Sequence, residues 1–224
     1  MIRRREIPDF VYDPSCVLYL PLGKRDGASF ISDDAYGRLA TVTGATWGIQ
    51  GRTFDGIDDL ISIPDHASLD TTGSFSVGFW FKLDTVAVDQ CLLSKEGGSR
   101  QQIQVLFISA SKYLYSEIWD GTNAPTGLSA VNSIDTVGKW YHAFLVLNKT
   151  VDIRFFIDGA ASGSPVTDTT GSIINTQVLQ IGKRTTGASV FLDGQVGEVI
   201  IVTKAVSLAE AQNHRLVTKW RYSG

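Results

Sequence analysis

The sequence predicts an all-β chain: a two-sheet antiparallel β-sandwich of jelly-roll type, with one short C-terminal helix. Three observations predict it. Apolar residues recur at every second position in run after run, the period of a strand with one face on a core. Asp-Gly pairs at 26–27, 55–56, 120–121, 158–159 and 193–194 sit between or beside those runs, because Gly tolerates positive φ and Asp satisfies nearby backbone donors. Charged residues make up 19% of the 224, against roughly 25% in typical soluble domains, and Gly occurs 22 times, a balance that suits strands and turns better than long surface helices.

Taken in chain order, MIRRREIPDFVYDP (1–14) begins with a basic run but lacks the apolar core of a secretory signal. Residues 1–15 read as an arm, with Arg3, Arg4, Arg5, Phe10 and Tyr12 expected to dock on a protein partner. Strand runs follow at VLYLPL (17–22) and LISIP (60–64). In SFSVGFWFKL (74–83), Phe75, Val77, Phe79, Phe81 and Leu83 alternate onto one face. Further runs lie at QIQVLFIS (102–109) and YLYSEIW (113–119). KWYHAFLVLN (139–148) is apolar on both alternations, Trp140, Phe144 and Val146 against Tyr141, Ala143, Leu145 and Leu147, so it should be covered on both faces. Asn148-Lys149-Thr150 is the expected hairpin turn into VDIRFFIDG (151–159), and VLQIG (178–182) and VGEVIIVT (196–203) complete the strand signals. Ser207-Leu208-Ala209-Glu210 is a capping box. The helix behind it should bury a stripe of Leu208, Ala211 and Leu216, ending near Val217, as a packing lid without chemistry. Residues 16–217 form one domain on this reading, and 218–224 a tail.

Several function classes are disfavoured. A net charge of −3 offers no basic field for a phosphate backbone, so nucleic acid is not an expected partner. No stretch approaches 18 apolar residues, so no membrane span is expected. Cys16 and Cys91 are too few for a disulfide framework and wrongly spaced for zinc, and read as buried free thiols. His66, His142 and His214 are scattered, and His142 reads as a hydrogen-bonded core residue. Ser109-Ala110-Ser111-Lys112 ends a strand pattern where a nucleophile motif of that spelling would open a helix. Glu117 and Asp120 are three apart and point to opposite faces of a strand, so no catalytic carboxylate pair is visible and no enzyme is expected.

Two candidate sites remain. Trp80 and Trp140 lie within strands and are expected to be buried, whereas Trp119, beside Asp120 and Asn123, is the best candidate for an exposed sugar-stacking platform. FDGIDDLISIPDH (54–66) brings together Asp55, Asp58 and Asp59. These could supply some of the six to eight oxygens a calcium ion needs. They are equally what a tight turn with locally bonded side chains would use.

Four segments in order, ATWGIQGRTFDGIDDLISIPDHASLD, GSFSVGFWFKLD, GKWYHAFLVLN with VDIRFFIDG, and LQIGKRTTGASVFLDGQVGEVIIVTKAVSLAEAQ, resemble a laminin-G-like jelly roll of the concanavalin A-like lectin and glucanase superfamily. The similarity is to its pentraxin-type branch and runs from roughly Cys16 to Leu216. The resemblance implies two antiparallel sheets, one concave, and non-catalytic binding of glycans, proteins or surfaces at a rim or on the concave face. It also implies calcium as the cofactor. Where the family shows an aspartate pair in the strand before the capped helix, this chain reads Val196-Gly197-Glu198-Val199, leaving Glu198 as the carboxylate there and Gly197 in place of the first. The alternating Glu, Asp, Glu strand of glucan-cutting relatives is missing. Stand-alone modules of this kind without a secretion signal resemble virion accessory proteins such as capsid decorations, tails or fibres. The leading expectation is therefore a module on a virion surface, docked through its arm to the virion or to a second copy. The alternatives are a stand-alone or extracellular carbohydrate-binding module and, more remotely, a glycoside hydrolase.

Overall fold

The structure, a computed structural model, describes residues 13–70, 72–97, 101–185 and 190–223. Arg3, Arg4, Arg5, Phe10 and Tyr12, the expected docking residues, lie outside the described residues.

Sixteen strands among the described residues form two antiparallel sheets of eight. The first sheet contains β1 (Cys16–Pro21), β4 (Thr46–Gly48), β5 (Gly51–Asp55), β7 (Phe75–Leu83), β12 (Trp140–Asn148), β13 (Asp152–Ile157), β14 (Ala160–Thr167) and β16 (Asp193–Val202). Its order is β14-β13-β12-β7-β16-β5-β4, with β5 on the first half of one side of β16 and β1 on the second half. The second sheet contains β2 (Ser29–Ile31), β3 (Leu39–Thr43), β6 (Leu60–Ile63), β8 (Gln90–Glu96), β9 (Gln101–Ile108), β10 (Tyr113–Asp120), β11 (Thr126–Leu128) and β15 (Leu179–Ile181). Its order is β11-β10-β9-β8-β15-β6-β3-β2. The sandwich and its short C-terminal helix, α1 (Leu208–Thr218), are as the residue pattern predicts.

Period-two patterning decides which residues meet between the sheets. Phe75, Val77, Phe79, Phe81 and Leu83 of β7 all enter the inner core, beside Tyr141, Ala143, Leu145 and Leu147 of β12. The opposite alternation of β12 forms a second core. Phe144 and Val146 join Tyr19, Phe156, Ile200 and Val202 beneath Val206 and Ala211. The first sheet is thus covered on both faces, which is why 139–148 is apolar on both alternations. Asp158 and Gly159, at φ +51° and +80°, make the two-residue turn between Ile157 and Ala160. Asp193-Gly194 instead lies inside β16, where a Cβ on residue 194 would stand 2.2 Å from the Lys82 carbonyl oxygen, so the glycine permits close strand approach.

The buried face of α1 differs from the expected stripe. Ala211, His214 and Thr218 are buried, whereas Leu208 is 37% and Leu216 56% exposed. The reason lies beneath the helix: a small residue lets it approach the Phe144 face, and two polar side chains find partners in the sheet. Residues set apart at the sequence level as a tail continue the packing through a 3₁₀ turn (Lys219–Arg221) to Tyr222, which is buried. Cys16 and Cys91 are buried free thiols, and burial pushes Cys16 up to about 12.

One charge is buried at the edge of the inner core. Lys95, on the inward alternation of β8, places Nζ 3.0 Å from Asp65 Oδ1, 2.9 Å from Asp70 Oδ1, 2.6 Å from the Asn175 carbonyl and 3.1 Å from Asn175 Oδ1. Its strongly hydrated ammonium is tolerated there because four oxygens replace water.

Candidate functional site

On the outer face of the first sheet, His142 of β12, Trp80 of β7 and Glu198 of β16 lie side by side, because His142 pairs with Trp80 and Trp80 with Glu198. A bulge between Val196 and Glu198 leaves Gly197 unpaired and sets that register. His214, from α1 above, joins the flanking pair: its Nδ1 is 3.0 Å from His142 Nε2 and its Nε2 is 3.2 Å from Glu198 Oε1. The other Glu198 oxygen accepts from Tyr19 Oη at 2.9 Å and from Arg221 at 2.6 Å. Burial opposes ionisation of Glu198, but its contacts with His214, Arg221 and Tyr19 hold its carboxyl below the usual range.

The tautomers follow from satisfying donors. With His214 Nε2–H placed 3.2 Å from Glu198 Oε1, its Nδ1 accepts from His142 Nε2–H. His142 Nδ1 is buried without a hydrogen-bond partner, a position suited to a bare nitrogen and not to an N–H. Burial, reinforced by His214 and Arg215, lowers the basicity of His142 well below that of a free imidazole.

This hidden network anchors an open one. Trp80 donates Nε1–H to Thr218 Oγ1 at 2.8 Å, and Thr218 donates onward to the His214 carbonyl at 2.6 Å. Tyr222 stacks on Trp80 at 4.5 Å between centroids and leans on Trp140 at 4.8 Å. Gly197 makes this possible, since a Cβ there would stand 2.1 Å from the Tyr222 ring. Over these rings lies an open groove of about 440 Å³, lined by Trp80, Trp140, Arg215, Leu216, Lys219, Trp220, Tyr222 and Ser223. Trp220 is 60% exposed and donates Nε1–H to the Val217 carbonyl at 2.9 Å, which fixes its orientation. Trp140, expected to be buried, is half-buried here.

The sequence-level candidates lie elsewhere. Asp55, Asp58 and Asp59 converge, each offering an oxygen within 4.8 Å of the others. Asp55 Oδ1 accepts from Ile57 N at 2.9 Å and Asp58 N at 3.4 Å, and Asp59 Oδ2 from Asp55 N at 3.0 Å. Asp59 is tucked under Gly44, where a Cβ would meet its Oδ1 at 1.7 Å, and burial raises its pKa. Hard oxygen donors suit calcium, but of the six oxygens on three carboxylates Asp55 Oδ1 and Asp59 Oδ2 already hold amides, which leaves fewer than the six a calcium ion needs. The loop is therefore first an amide-anchored turn. Glu198 does not join it: Asp55 pairs with Asp193, five residues back along β16.

Asp120 and Asn123 are adjacent but turned toward backbone. Asp120 accepts from Thr122 N at 2.7 Å, Asn123 N at 2.6 Å, Asn123 Nδ2 at 3.1 Å and Gly171 N. Burial works against that carboxylate, but the Asn123 and Gly171 amides hold it well below the usual range. Trp119 is half-buried beside them. Sequence reasoning missed Trp220, Tyr222, Arg215 and Lys219 because it assigned the helix no chemistry and the next residues to a tail. The available signal was Lys219-Trp220-Arg221-Tyr222, two aromatics interleaved with cations directly behind a helix.

A family model described as the concanavalin A-like lectin/glucanases superfamily matches residues 55–212. No curated protein matches the sequence. Among solved structures, a sialidase mutant of Trypanosoma rangeli with trans-sialidase activity is similar with a TM-score of 0.68 at 16% identity, over 94% of this chain and 34% of that one. The binding domain of botulinum neurotoxin serotype G gives 0.73 at 12%, over 91% and 51%. The ligand-binding domain of botulinum neurotoxin serotype D, solved with N-acetylneuraminic acid, gives 0.70 at 11%, over 88% and 50%. The chain spans about a third of the sialidase and about half of the neurotoxin chains. At these identities the likeness is one of fold.

Proposed function

Because this chain belongs to the concanavalin A-like lectin/glucanases superfamily, we propose that it is a non-catalytic glycan-binding module whose binding site is the aromatic groove over Trp140, Trp220 and Tyr222. The groove is the observation that supports this reading. Pyranose faces stack on aromatic rings, and here rings line a cleft of saccharide size on a rigid sheet. The neurotoxin serotype D domain solved with N-acetylneuraminic acid shares the fold and lends the reading support. A glycan array followed by calorimetry on each hit tests it. Trp220→Ala should weaken binding about tenfold, roughly 1.4 kcal/mol, without lowering Tm. An array silent for the wild-type chain would remove the reading.

The sialidase likeness motivates a hydrolase reading, and one geometric feature bears on it. Glu96 and Glu117 share the outer face of the second sheet, on β8 and β10, paired through β9 with Gln102 and Gln104. Glu96 binds Arg184 at 3.1 Å and Glu117 accepts from Gln104 at 2.6 Å. The non-catalytic proposal expects no release of reducing sugar or sialic acid from any array hit, and turnover lost in Glu117→Gln would replace it. Calcium at Asp55, Asp58 and Asp59 is a separate proposal: it predicts a rise in Tm with calcium that Asp58→Asn abolishes. Display on a virion surface is likewise a proposal, motivated by the sequence of the arm, and deletion of residues 1–13 should abolish attachment to particles while sparing glycan binding.

A further inference from the structure

The lining of the C-terminal groove is one-sided in charge, with the Tyr222 and Ser223 hydroxyls as its side-chain acceptors. Among the described residues it contains no side-chain carboxylate and no side-chain amide. Neutral sugars present many hydroxyl donors and are usually met by such acceptors, whereas Arg215 and Lys219 can only donate. Lys82 adds a third cation, its Nζ 5.6 Å from the Trp140 centroid. Compensation is thin. Arg215 (3.7 Å) and Lys139 (3.1 Å) share the single carboxylate of Asp158, and Arg221 is committed to Glu198 below. Lys219 is exposed and makes no ion pair among the described residues. A cluster of this sign on a chain with a net charge of −3 is local, and it faces the rings.

Building on the glycan-binding proposal, we infer that the groove takes an acidic saccharide, with a sugar carboxylate beside Arg215 and Lys219 and a pyranose face on the exposed tryptophan. Guanidinium and ammonium groups supply the charge-assisted hydrogen bonds a carboxylate accepts. The aromatic walls supply apolar contact that a simple anion could not use.

Calorimetry on matched pairs tests the inference: 3′-sialyllactose against lactose, and hexagalacturonate against its methyl ester, at low and high salt. In at least one pair the acidic member should bind about tenfold more tightly than the neutral one, with a gap that shrinks at high salt. Lys219→Gln should close most of that gap and leave Tm unchanged. Equal binding of both members, lost together in Trp220→Ala, would overturn the inference and leave the glycan proposal standing. No binding of any of the four, by a chain whose Tm is normal, would bring down both. Binding to phosphatidylserine vesicles in place of the soluble sugars would assign the groove to a lipid surface and overturn the inference as well.

Discussion

Glu198 bears a full charge beneath a helix, and the residues around it explain how that is tolerated. Tyr19, His214 and Arg221 each direct a donor at its two oxygens. Removing one partner of a buried pair leaves the other uncompensated. Glu198→Gln should therefore cost about 3 kcal/mol in urea denaturation, at the low end for a buried pair because Arg221 reaches solvent on one side. Its neighbour Gly197 sets a steric limit: Gly197→Ala drives a methyl into the Tyr222 ring, and overpacking of this kind costs about 1–3 kcal/mol. His142 gives the network a pH dependence. Its basicity is lowered in the folded state, so below the unfolded value of about 6.5 the unfolded chain takes up a proton that the folded chain refuses. The His142 contribution is complete above that pH and declines by about 1.4 kcal/mol per unit below it, until the folded site itself titrates. Denaturation at pH 7.5 and 5.5 should show this slope in the wild type, and His142→Gln, which retains a donor for His214, should remove that share.

Among the elements, α1 separates what is legible in the residue pattern from what is not. Its start is written in the sequence: Ser207 Oγ accepts from Glu210 N at 3.3 Å, and Glu210 Oε2 accepts from Ser207 N at 2.8 Å. Ser207→Ala should cost about 1 kcal/mol. Its inward face is not written there, because hydrophobicity selects Leu208 and Leu216 while the packed residues are Ala211, His214 and Thr218. Leu216→Ser should accordingly leave Tm unchanged, whereas a buried stripe would predict a loss of several degrees. Strands behave differently. Alternation in β7 and the double alternation in β12 named residues of both cores, Trp140 excepted, since a strand's faces are fixed by its period whatever lies opposite. The groove escaped notice because it forms between elements, where Trp140 and Trp220, far apart in sequence, line one cleft with Tyr222.

At the scale of the whole molecule, two apolar cores on either side of one sheet account for the fold, and Lys95 ties loops together at the edge of the inner one. Lys95→Met should lower stability by about 3 kcal/mol, because Asp65 and Asp70 would lose their cation while still partly withdrawn from water. No periodicity exposes such a tie, since it joins β8 to loops near residues 65–70 and 175 through a side chain alone.

The position of β16 has a consequence for how the chain is made. It is the seam on which β1, β5 and β7 all meet, with Cys16 opposite Val202. A nascent chain that has not yet reached residue 202 has nothing to join these strands, and the outer row of β12, Phe144 and Val146, waits for Val206 and Ala211 to cover it. Folding must therefore follow synthesis of that segment, at the pace of distant strand pairing. Until then that row is apolar surface on which emerging polypeptides can stick to one another.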